Sequence, residues 1–418
     1  MNKIAIKLAT AASTAALVVS SFAMPLAATT VEISGNGSDS DNTVEVNQTN
    51  TTTVNQTNTA NISNNIDVDA DTGNNDANDN TGGDVSIDTG DADATVSVTN
   101  TANSNQASVD GCCPDDVTLT IKGNGTDNGN NDENKIKFTS NNTNSITQTN
   151  NAEFDNDVDV DLDTGKNDAN GNTGGDVSVE TGDADATVTV SNQANANWAA
   201  ITGGNGGGVA VEISGNGSDS DNTVKVNLTS NNTINQSNYA DISNDVDVDA
   251  DTGKNDANDN TGGDVSIDTG DANADVNVSN MANFNAAELE GCGCLEDLDV
   301  LVKGNGSDSD NTVKAYLTSV KYITQTNDYD CGKGGYQEWF WRGHKNDCNE
   351  VDVDLDTGKN DVNDNTHGGD PSVTTGDADA DVEVENTANS NVLGDVDFDL
   401  PEMGGSMSVL LLLLALIA

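Results

Sequence analysis

Internal repetition constrains the fold of this chain more than any other feature of its sequence. A GNGSDSDNTV-type string begins at Gly35, Gly123 (in diverged form), Gly215 and Gly304. A second block, DTGNNDANDNTGGDVSIDTGDADA in its first copy, begins at Asp71, Asp163, Asp251 and Asp356. Two blocks that recur together in this way predict four structural units of about ninety residues, each too small to bury its apolar residues without its neighbours.

The repeats divide the chain into six segments. We predict a signal peptide at 1–28, repeat units at 31–116, 117–208, 209–296 and 297–398, and a C-terminal signal with an apolar tail at 399–418. Unit four also contains an aromatic insertion at 331–348. The signal peptide is indicated by Lys3 and Lys7, followed by a small, apolar stretch and by alanines suited to cleavage.

Apolar and polar residues alternate along each unit, which is typical of β-strands with one buried face. Ile66, Val68 and Ala70, for example, alternate with aspartates. Clusters of Asn, Asp and Gly are expected to break the chain into many short strands. Short strands, small apolar residues and few aromatics together favour an all-β, tandem-repeat parallel β-solenoid with a thin apolar core.

Two other folds fit the same pattern less well. The alternative is a string of four β-sandwich domains, although four separate cores would need more large apolar residues. The third is a chain that forms β-structure only on assembly, because VNQTNTTTVNQTNTANISNN, from Val46 to Asn65, resembles curlin-type amyloid repeats. Pro371 stands where the other units have valine, which predicts an edge position in a terminal, capping repeat.

Charge excludes one class of partner. The 418 residues carry 71 acidic and only 15 basic side chains, a formal net charge of -56. Nucleic-acid binding depends on Lys and Arg that displace phosphate counterions, so we expect no nucleic-acid partner. Such acidity also keeps an exported protein soluble.

Rows of aspartate are the candidate metal ligands. They lie at alternate positions of equivalent strands and would stack if the strands paired directly. The predicted ligands are Asp67, Asp69, Asp71, Asp157, Asp159, Asp161, Asp163, Asp245, Asp247, Asp249, Asp251, Asp352, Asp354 and Asp356. The run DVDADTGNND resembles EF-hand and repeats-in-toxin calcium loops in part, which implies calcium as the cofactor. It lacks the EF-hand Glu at position twelve, and its glycine is one place late. The alternative is a solvated acidic face without a bound metal.

Catalytic chemistry has little support in the sequence. The tripeptide Asp-Thr-Gly resembles the aspartic-protease motif, but six copies indicate turns rather than one two-carboxylate site. Only two histidines are present, His344 and His367, and they suggest no nucleophile-base pair. We therefore predict that the protein is not an enzyme, and the alternative is a polysaccharide-active β-solenoid enzyme.

The insertion of unit four is the candidate partner-binding element. Cys331 and Cys348 flank it and are the cysteines most easily joined in a disulfide. Exposed aromatic side chains between them would stack on glycans or enter a pocket of another surface protein. The alternative is that the loop folds back as a hydrophobic cap on the last coil. The predicted binding residues are Tyr336, Trp339, Phe340, Trp341 and Arg342.

The C-terminal region resembles the LPXTG signal of sortase-anchored bacterial wall proteins. Leu400, Pro401 and Gly404 match the motif, and Met403 replaces its threonine. The resemblance implies attachment to the cell wall or membrane. We therefore expect a secreted, acidic structural or adhesive protein of the cell surface, stiffened by calcium, with a self-assembling fibre subunit as a further alternative.

Overall fold

The computed structural model describes residues 4–7, 11–23, 29–38, 40–110, 116–126, 133–202, 208–290, 297–331, 348–366 and 369–394. In chain order the strands are β1 (Ile4–Lys7), β2 (Ala11–Ala23), β3 (Thr29–Ser34), β4 (Asn42–Asp71), β5 (Val85–Asp88), β6 (Ala92–Asp110), β7 (Val117–Lys122), β8 (Glu133–Asp163), β9 (Val177–Glu180), β10 (Ala184–Thr202), β11 (Val209–Ser214), β12 (Asp221–Asp251), β13 (Val265–Asp268), β14 (Ala272–Leu289), β15 (Leu298–Lys303), β16 (Asp310–Asp330), β17 (Asn349–Asp356), β18 (Ser372–Thr374) and β19 (Ala378–Leu393).

Each repeat forms one coil of a parallel β-solenoid. We call these coils rung 1 (β3–β6), rung 2 (β7–β10), rung 3 (β11–β14) and rung 4 (β15–β19). Every strand pairs in parallel with its equivalent in the next rung, as β4 does with β8 and β8 with β12. Pairing between repeats rather than within them confirms the solenoid and excludes the alternative of four β-sandwich domains.

The strands are much longer than the sequence suggested. β8 and β12 each run for 31 residues without a break, about 100 Å at the usual rise per residue. The prediction of short strands was therefore wrong for the long sides of the coil, whereas β5, β9 and β13 between them have only four residues each. Asparagines such as Asn150 and Asn156, which were expected to end strands, lie inside β8, where their amides bond to neighbouring rungs. Others, such as Asn75, lie in the corner after the long strand, as expected.

Apolar residues meet between the two long sides of each coil. The C-terminal part of β4 packs on the N-terminal part of β6, through Val68 on one side and Val96 and Val98 on the other. The N-terminal part of β4 lies against β3, near Val31 and Ile33. The same contacts recur in rungs 2 and 3, so the core runs through the stack.

Columns of asparagine and glutamine interrupt this apolar core. In one pair of columns, the Asn156 amide donates to Asn244 in the next rung at 2.7 Å and to Asn192 across the coil at 3.2 Å. Asn192 in turn donates to Asn280 at 2.7 Å and to Asn244 at 2.9 Å. These side chains are almost completely buried, so the zigzag of amides satisfies polar groups that would otherwise be costly inside the coil.

One asparagine column has a left-handed backbone conformation. Asn103, Asn195, Asn283 and Asn389 all have φ between 62° and 64°, in the middle of β6, β10, β14 and β19. Asparagine tolerates this left-handed conformation better than other non-glycine residues. Their amides also stack from rung to rung, at 3.0 Å between Asn103 and Asn195.

The N-terminal segment lies along the first rung. β1 and β2 pair in parallel with β6, from Ile4 beside Ala92 to Ala23 beside Asp110. The segment predicted to be a signal peptide thus covers the free edge of β6, whereas β4 pairs on one side only, with β8.

A column of glycines marks the corner that follows the long strand. A Cβ placed on Gly165 would lie 2.0 Å from the carbonyl oxygen of Gly253, in the next rung. The same Cβ on Gly358, in rung 4, would meet only Asp356 Oδ1 at 3.6 Å, an ordinary contact. The column needs glycine wherever another rung follows.

We predict that Gly165→Ala lowers the free energy of unfolding by more than about 2 kcal/mol, because the new methyl group collides with backbone of rung 3. The matched change Gly358→Ala in the same column is expected to stay within about 0.5 kcal/mol. Chemical denaturation of the full chain measures both, and equal losses would contradict the close stacking of rungs.

Candidate functional site

The in-register pairing aligns the predicted aspartates in three columns at the C-terminal ends of the long strands. The register sets Asp159 opposite Asp67 and Asp247, and Asp161 opposite Asp69 and Asp249. The columns are Asp67, Asp159, Asp247 and Asp352; Asp69, Asp161, Asp249 and Asp354; and Asp71, Asp163, Asp251 and Asp356. Asp157 and Asp245 belong to a fourth, mixed column with Asn65 and Glu350.

The first two columns form an exposed acidic face. Their carboxylates point away from the core, and Asp159, Asp161, Asp247, Asp249, Asp352 and Asp354 line one shallow depression. Neighbouring unit charges about 4.8 Å apart repel by about 1 kcal/mol in water. The in-register pairing that forms the backbone hydrogen bonds between rungs therefore also concentrates like charges on this face.

The surroundings raise the pKa of several of these carboxyls. Partial burial is the largest cause for Asp247 and Asp249, and the carboxylates of the adjoining rungs add to it. Burial likewise raises the pKa of Asp161, although Lys166 opposes the rise. All three carboxyls hold protons more tightly in the folded chain than in the unfolded one.

The third column is a different kind of site, because lysines neutralise it in rungs 2 to 4, whereas in rung 1 the Asn74 amide donates to Asp71. Lys254 bonds to the Asp251 carboxylate of its own rung and lies 3.9 Å from that of Asp356 in the next. Lys166 similarly bonds to Asp163 and lies 4.0 Å from Asp251. The side chains of Asp163 and Asp251 are only 7% and 2% exposed, so these are partly buried ion pairs rather than free ligands.

The Asp-Thr-Gly tripeptides form corners of the coil. Asp251 Oδ1 accepts the N–H of Gly253 at 2.9 Å, and the Thr252 hydroxyl donates to the Gly270 carbonyl at 2.9 Å. Gly270 belongs to the second tripeptide of the same repeat, so the two tripeptides fasten one corner of the coil together. The turn interpretation of this motif agrees with these contacts.

The carboxylate chemistry suits calcium, but the geometry does not gather ligands around one point. Within the ranges that the structure describes, no group of three or more His, Cys, Asp or Glu side chains converges as a metal site. The columns offer rows of separate carboxylates instead. Any divalent ion would have to bridge rungs along the first two columns.

Rung 4 has an apolar stripe on its outer face that sequence analysis missed. Tyr316, Val320 and Tyr322 are 59%, 48% and 60% exposed. They lie opposite Asn227, Asn231 and Thr233 of rung 3, on the outward face of the sheet. A comparison of the four repeats position by position would have found them, because only the last repeat replaces polar residues there.

The predicted aromatic binding residues, Tyr336, Trp339, Phe340, Trp341 and Arg342, lie outside the described residues, as do Leu400, Pro401 and Gly404. The two cysteines that flank the insertion are described. Cys331 and Cys348 are joined by a disulfide, with Cα atoms 4.2 Å apart. It closes the insertion where β16 ends, on the same rung as the apolar stripe.

No protein-family model, no curated protein and no solved structure matches this chain. Among the described residues, no helix is both long enough and apolar enough to cross a membrane.

We predict opposite effects from two aspartate substitutions in β12. Asp247→Asn removes a charge from a repulsive column and is expected to stabilise the fold by up to about 1 kcal/mol. Asp251→Asn removes the partner of Lys254 and is expected to destabilise the fold by about 1–3 kcal/mol. Denaturation of both variants at low ionic strength checks this, and a loss of stability in Asp247→Asn would contradict the repulsion.

We also predict that moderate acid stabilises the chain. Carboxyls with raised folded-state pKa, such as Asp247 and Asp249, contribute stability that is fully present below their unfolded pKa, near 3.8. That contribution is lost as pH rises through the higher folded value. Asp356, whose pKa is lowered by Lys359 and Gly358 against the effect of burial, works in the opposite direction. Hydrogen bonds to their side chains also lower the pKa of Glu32, Glu133 and Glu212, but in the described parts of the chain these four groups are outnumbered by the six aspartates whose pKa is raised, Asp161, Asp163, Asp245, Asp247, Asp249 and Asp256.

The melting temperature is therefore expected to be higher near pH 4 than at pH 7, and the difference should shrink in Asp247→Asn. Thermal melts across this range measure it. A melting temperature that falls steadily on acidification would contradict the prediction.

Proposed function

We propose that this protein is a secreted structural scaffold of the cell surface, a stiff acidic β-solenoid that presents its fourth repeat to a partner. The observation that carries the proposal is the continuous, in-register ladder of rungs, held by backbone bonds and by buried Asn and Gln columns. Such a stack has only nearest-neighbour contacts, and it resists bending because each bond repeats in the next rung.

Export and attachment are supported by the sequence. The basic and apolar N-terminal segment at 1–28 resembles a secretory signal, and Leu400, Pro401 and Gly404 resemble a sorting signal. The disulfide between Cys331 and Cys348 suits an oxidising compartment. A net charge of -56 keeps an exposed surface protein soluble and disfavours nucleic acid.

Surface display has a direct test. A membrane-impermeant amine reagent should label the protein in intact cells, because exposed lysines such as Lys303 and Lys359 lie on the outside of the coil. Labelling that requires lysis of the cells would contradict the proposed location.

The adhesive role rests on the fourth repeat. Tyr316, Val320 and Tyr322 form an exposed stripe on the strand that leads into the insertion bearing Trp339 and Trp341. Tyr316 and Tyr322 are about 20 Å apart along the strand, enough to contact an extended chain of several sugar rings. Exposed aromatic stripes of this kind mark binding surfaces, and a glycan or another surface protein is the proposed partner.

Calcium stiffening is proposed as a secondary property of the first two aspartate columns. Millimolar calcium should raise the melting temperature more than the same ionic strength of sodium chloride does, because a bridging ion offsets repulsion between rungs. The Asp159→Asn, Asp247→Asn double variant should lose that difference. An equal response to both salts would limit the effect to charge screening.

A fibre subunit is the second candidate function. The buried Asn and Gln columns, with amide bonds of 2.7–2.9 Å between Gln56, Gln148 and Gln236, are the interactions that stabilise cross-β fibres. Whether the ends of the stack accept another copy decides between a discrete scaffold and a fibre.

We predict that the variant Tyr316→Thr, Tyr322→Thr binds purified cell walls and insoluble polysaccharides at least tenfold more weakly than the parent chain, because the stacking surface is lost. Tyr239→Asn is the matched control, because Tyr239 is also an exposed tyrosine on the outer face but belongs to rung 3. Co-sedimentation measures binding. Unchanged binding in the double variant, or an equal loss in the control, would remove the stripe from the proposal, and release of soluble sugar would support the enzyme alternative.

A further inference from the structure

The two ends of the stack differ in ways that decide whether a second copy of this chain can add to rung 4. At rung 4 the apolar side chains of the core are uncovered: Val300 and Val302 are 42% and 46% exposed. The equivalent Val211 and Ile213 of rung 3 are 2% and 0% exposed. One more rung of the same sequence would cover them.

The backbone of rung 4 also has unpaired groups. Ala92 donates its N–H to Asp183 at 2.8 Å, Ala184 donates to Asp271 at 2.8 Å, and Ala272 donates to Asp377 at 2.9 Å. Each of these bonds runs from one rung to the next. Ala378 is the fourth member of the column, and its N–H points to the open edge.

Rung 1 of a second copy has the residues to continue most of these columns. Val31 and Ile33 would follow Val300 and Val302, and Asn64 would follow Asn349, as related residues do inside the chain. An open edge that matches the opposite end of its own molecule adds copies without limit and forms fibres.

At least two residues of rung 4 break this match. Lys321 lies opposite Asn232, at an inward position where the earlier residues are Thr52 and Asn144. Asn232 is 0% exposed. A second copy would enclose the Lys321 ammonium between rungs, without a carboxylate in its column, and desolvation of a lone buried charge is strongly unfavourable.

Pro371 is the second break. In its column, Val85 donates its N–H to Asp176 at 2.8 Å, and Val177 donates to Asp264 at 2.8 Å. By register Pro371 follows Val265, so its missing N–H would have faced the open edge. Proline at this position therefore removes a backbone hydrogen bond that rung 4 would make to an added copy, and it removes no bond between rungs of the same chain.

We propose that rung 4 is a built-in stop that prevents a second copy from adding its rung 1, and that Lys321 and Pro371 carry the block. At the other end of the stack, β1 and β2 pair with the free edge of β6, so a second copy cannot pair there while the N-terminal segment is present. The inference rests on the proposed scaffold function, which it limits to discrete, four-rung molecules.

The test restores the residues of rung 3 in the full chain. The variant Lys321→Asn, Pro371→Val carries the side chains of Asn232 and Val265. A second pair of changes, Ala12→Pro and Ala15→Pro, is designed to detach β2 from β6. Alternate residues of a strand direct their backbone N–H groups to opposite edges, so one of these two residues donates toward β6, and proline removes that bond. Light scattering and electron microscopy of the four combinations then measure assembly.

We expect the parent chain and either pair of changes alone to remain small, and all four changes together to form fibres with a mass at least about tenfold that of the monomer. Lys314→Asn in place of Lys321→Asn is the matched control, since Lys314 has the same charge and the same strand but faces outward beside Lys225. It should not support fibres.

Fibres formed by the parent chain, or by the β2 changes alone, would show that rung 4 is no stop. A monomeric four-change variant with an intact strand spectrum would show that Lys321 and Pro371 are not what blocks addition.

If the four-change variant does not fold, Lys321→Asn, Pro371→Val on the exported protein, without its leader, gives the same comparison. Either result leaves surface labelling and polysaccharide binding unaffected, so failure of this inference is distinguishable from failure of the proposed function.

Discussion

In-register pairing between equivalent residues of successive repeats is the interaction on which the structure depends. Because each rung lies directly over the same residues of the next, a side chain that stacks well on itself stabilises every interface at once. Asparagine and glutamine meet this requirement inside the coil, where an amide can donate to the rung beside it and accept from the other. Their use explains how a chain with few large apolar residues orders strands of 31 residues.

The same register is unfavourable for aspartate. Columns of like charge accumulate on the outer face, and their repulsion grows with each rung. The third column shows one solution, in which Lys166 and Lys254 each interact with carboxylates of two rungs. The first two columns lack such lysines and remain exposed. Their charge is tolerated because it faces solvent, where screening is strong.

The fourth repeat combines two requirements at the end of a stack. It must pair with rung 3, so its strands keep the common register. It must also present a different surface, and there it replaces polar residues with Tyr316, Val320 and Tyr322, places Lys321 inward and introduces Pro371. Each departure lies in the last rung that the described residues form, so none disturbs the contacts between the earlier rungs. Terminal repeats of solenoids have this freedom because half of their contacts are absent.

Much of the fold was predictable from the sequence, because the repeats are nearly identical and strand alternation has a fixed period. The solenoid, the alignment of Asp67 with Asp159 and Asp247, and the edge position of Pro371 all follow from repetition alone. The strand lengths were not predictable. Asparagine is common in turns and also in buried amide columns, and the sequence does not show which role Asn156 or Asn192 takes.

By itself the sequence determined which residues share a column, since equal spacing in successive repeats leaves one register that keeps all apolar residues on one face. Only the tertiary structure decided which side of each column is buried, which aspartates meet a lysine, and which strand edges stay open. Those outcomes depend on how the coil closes, because Asn100 meets Asn156 and Lys254 approaches Asp356 only after residues far apart in the chain have been brought to the same corner or the same layer.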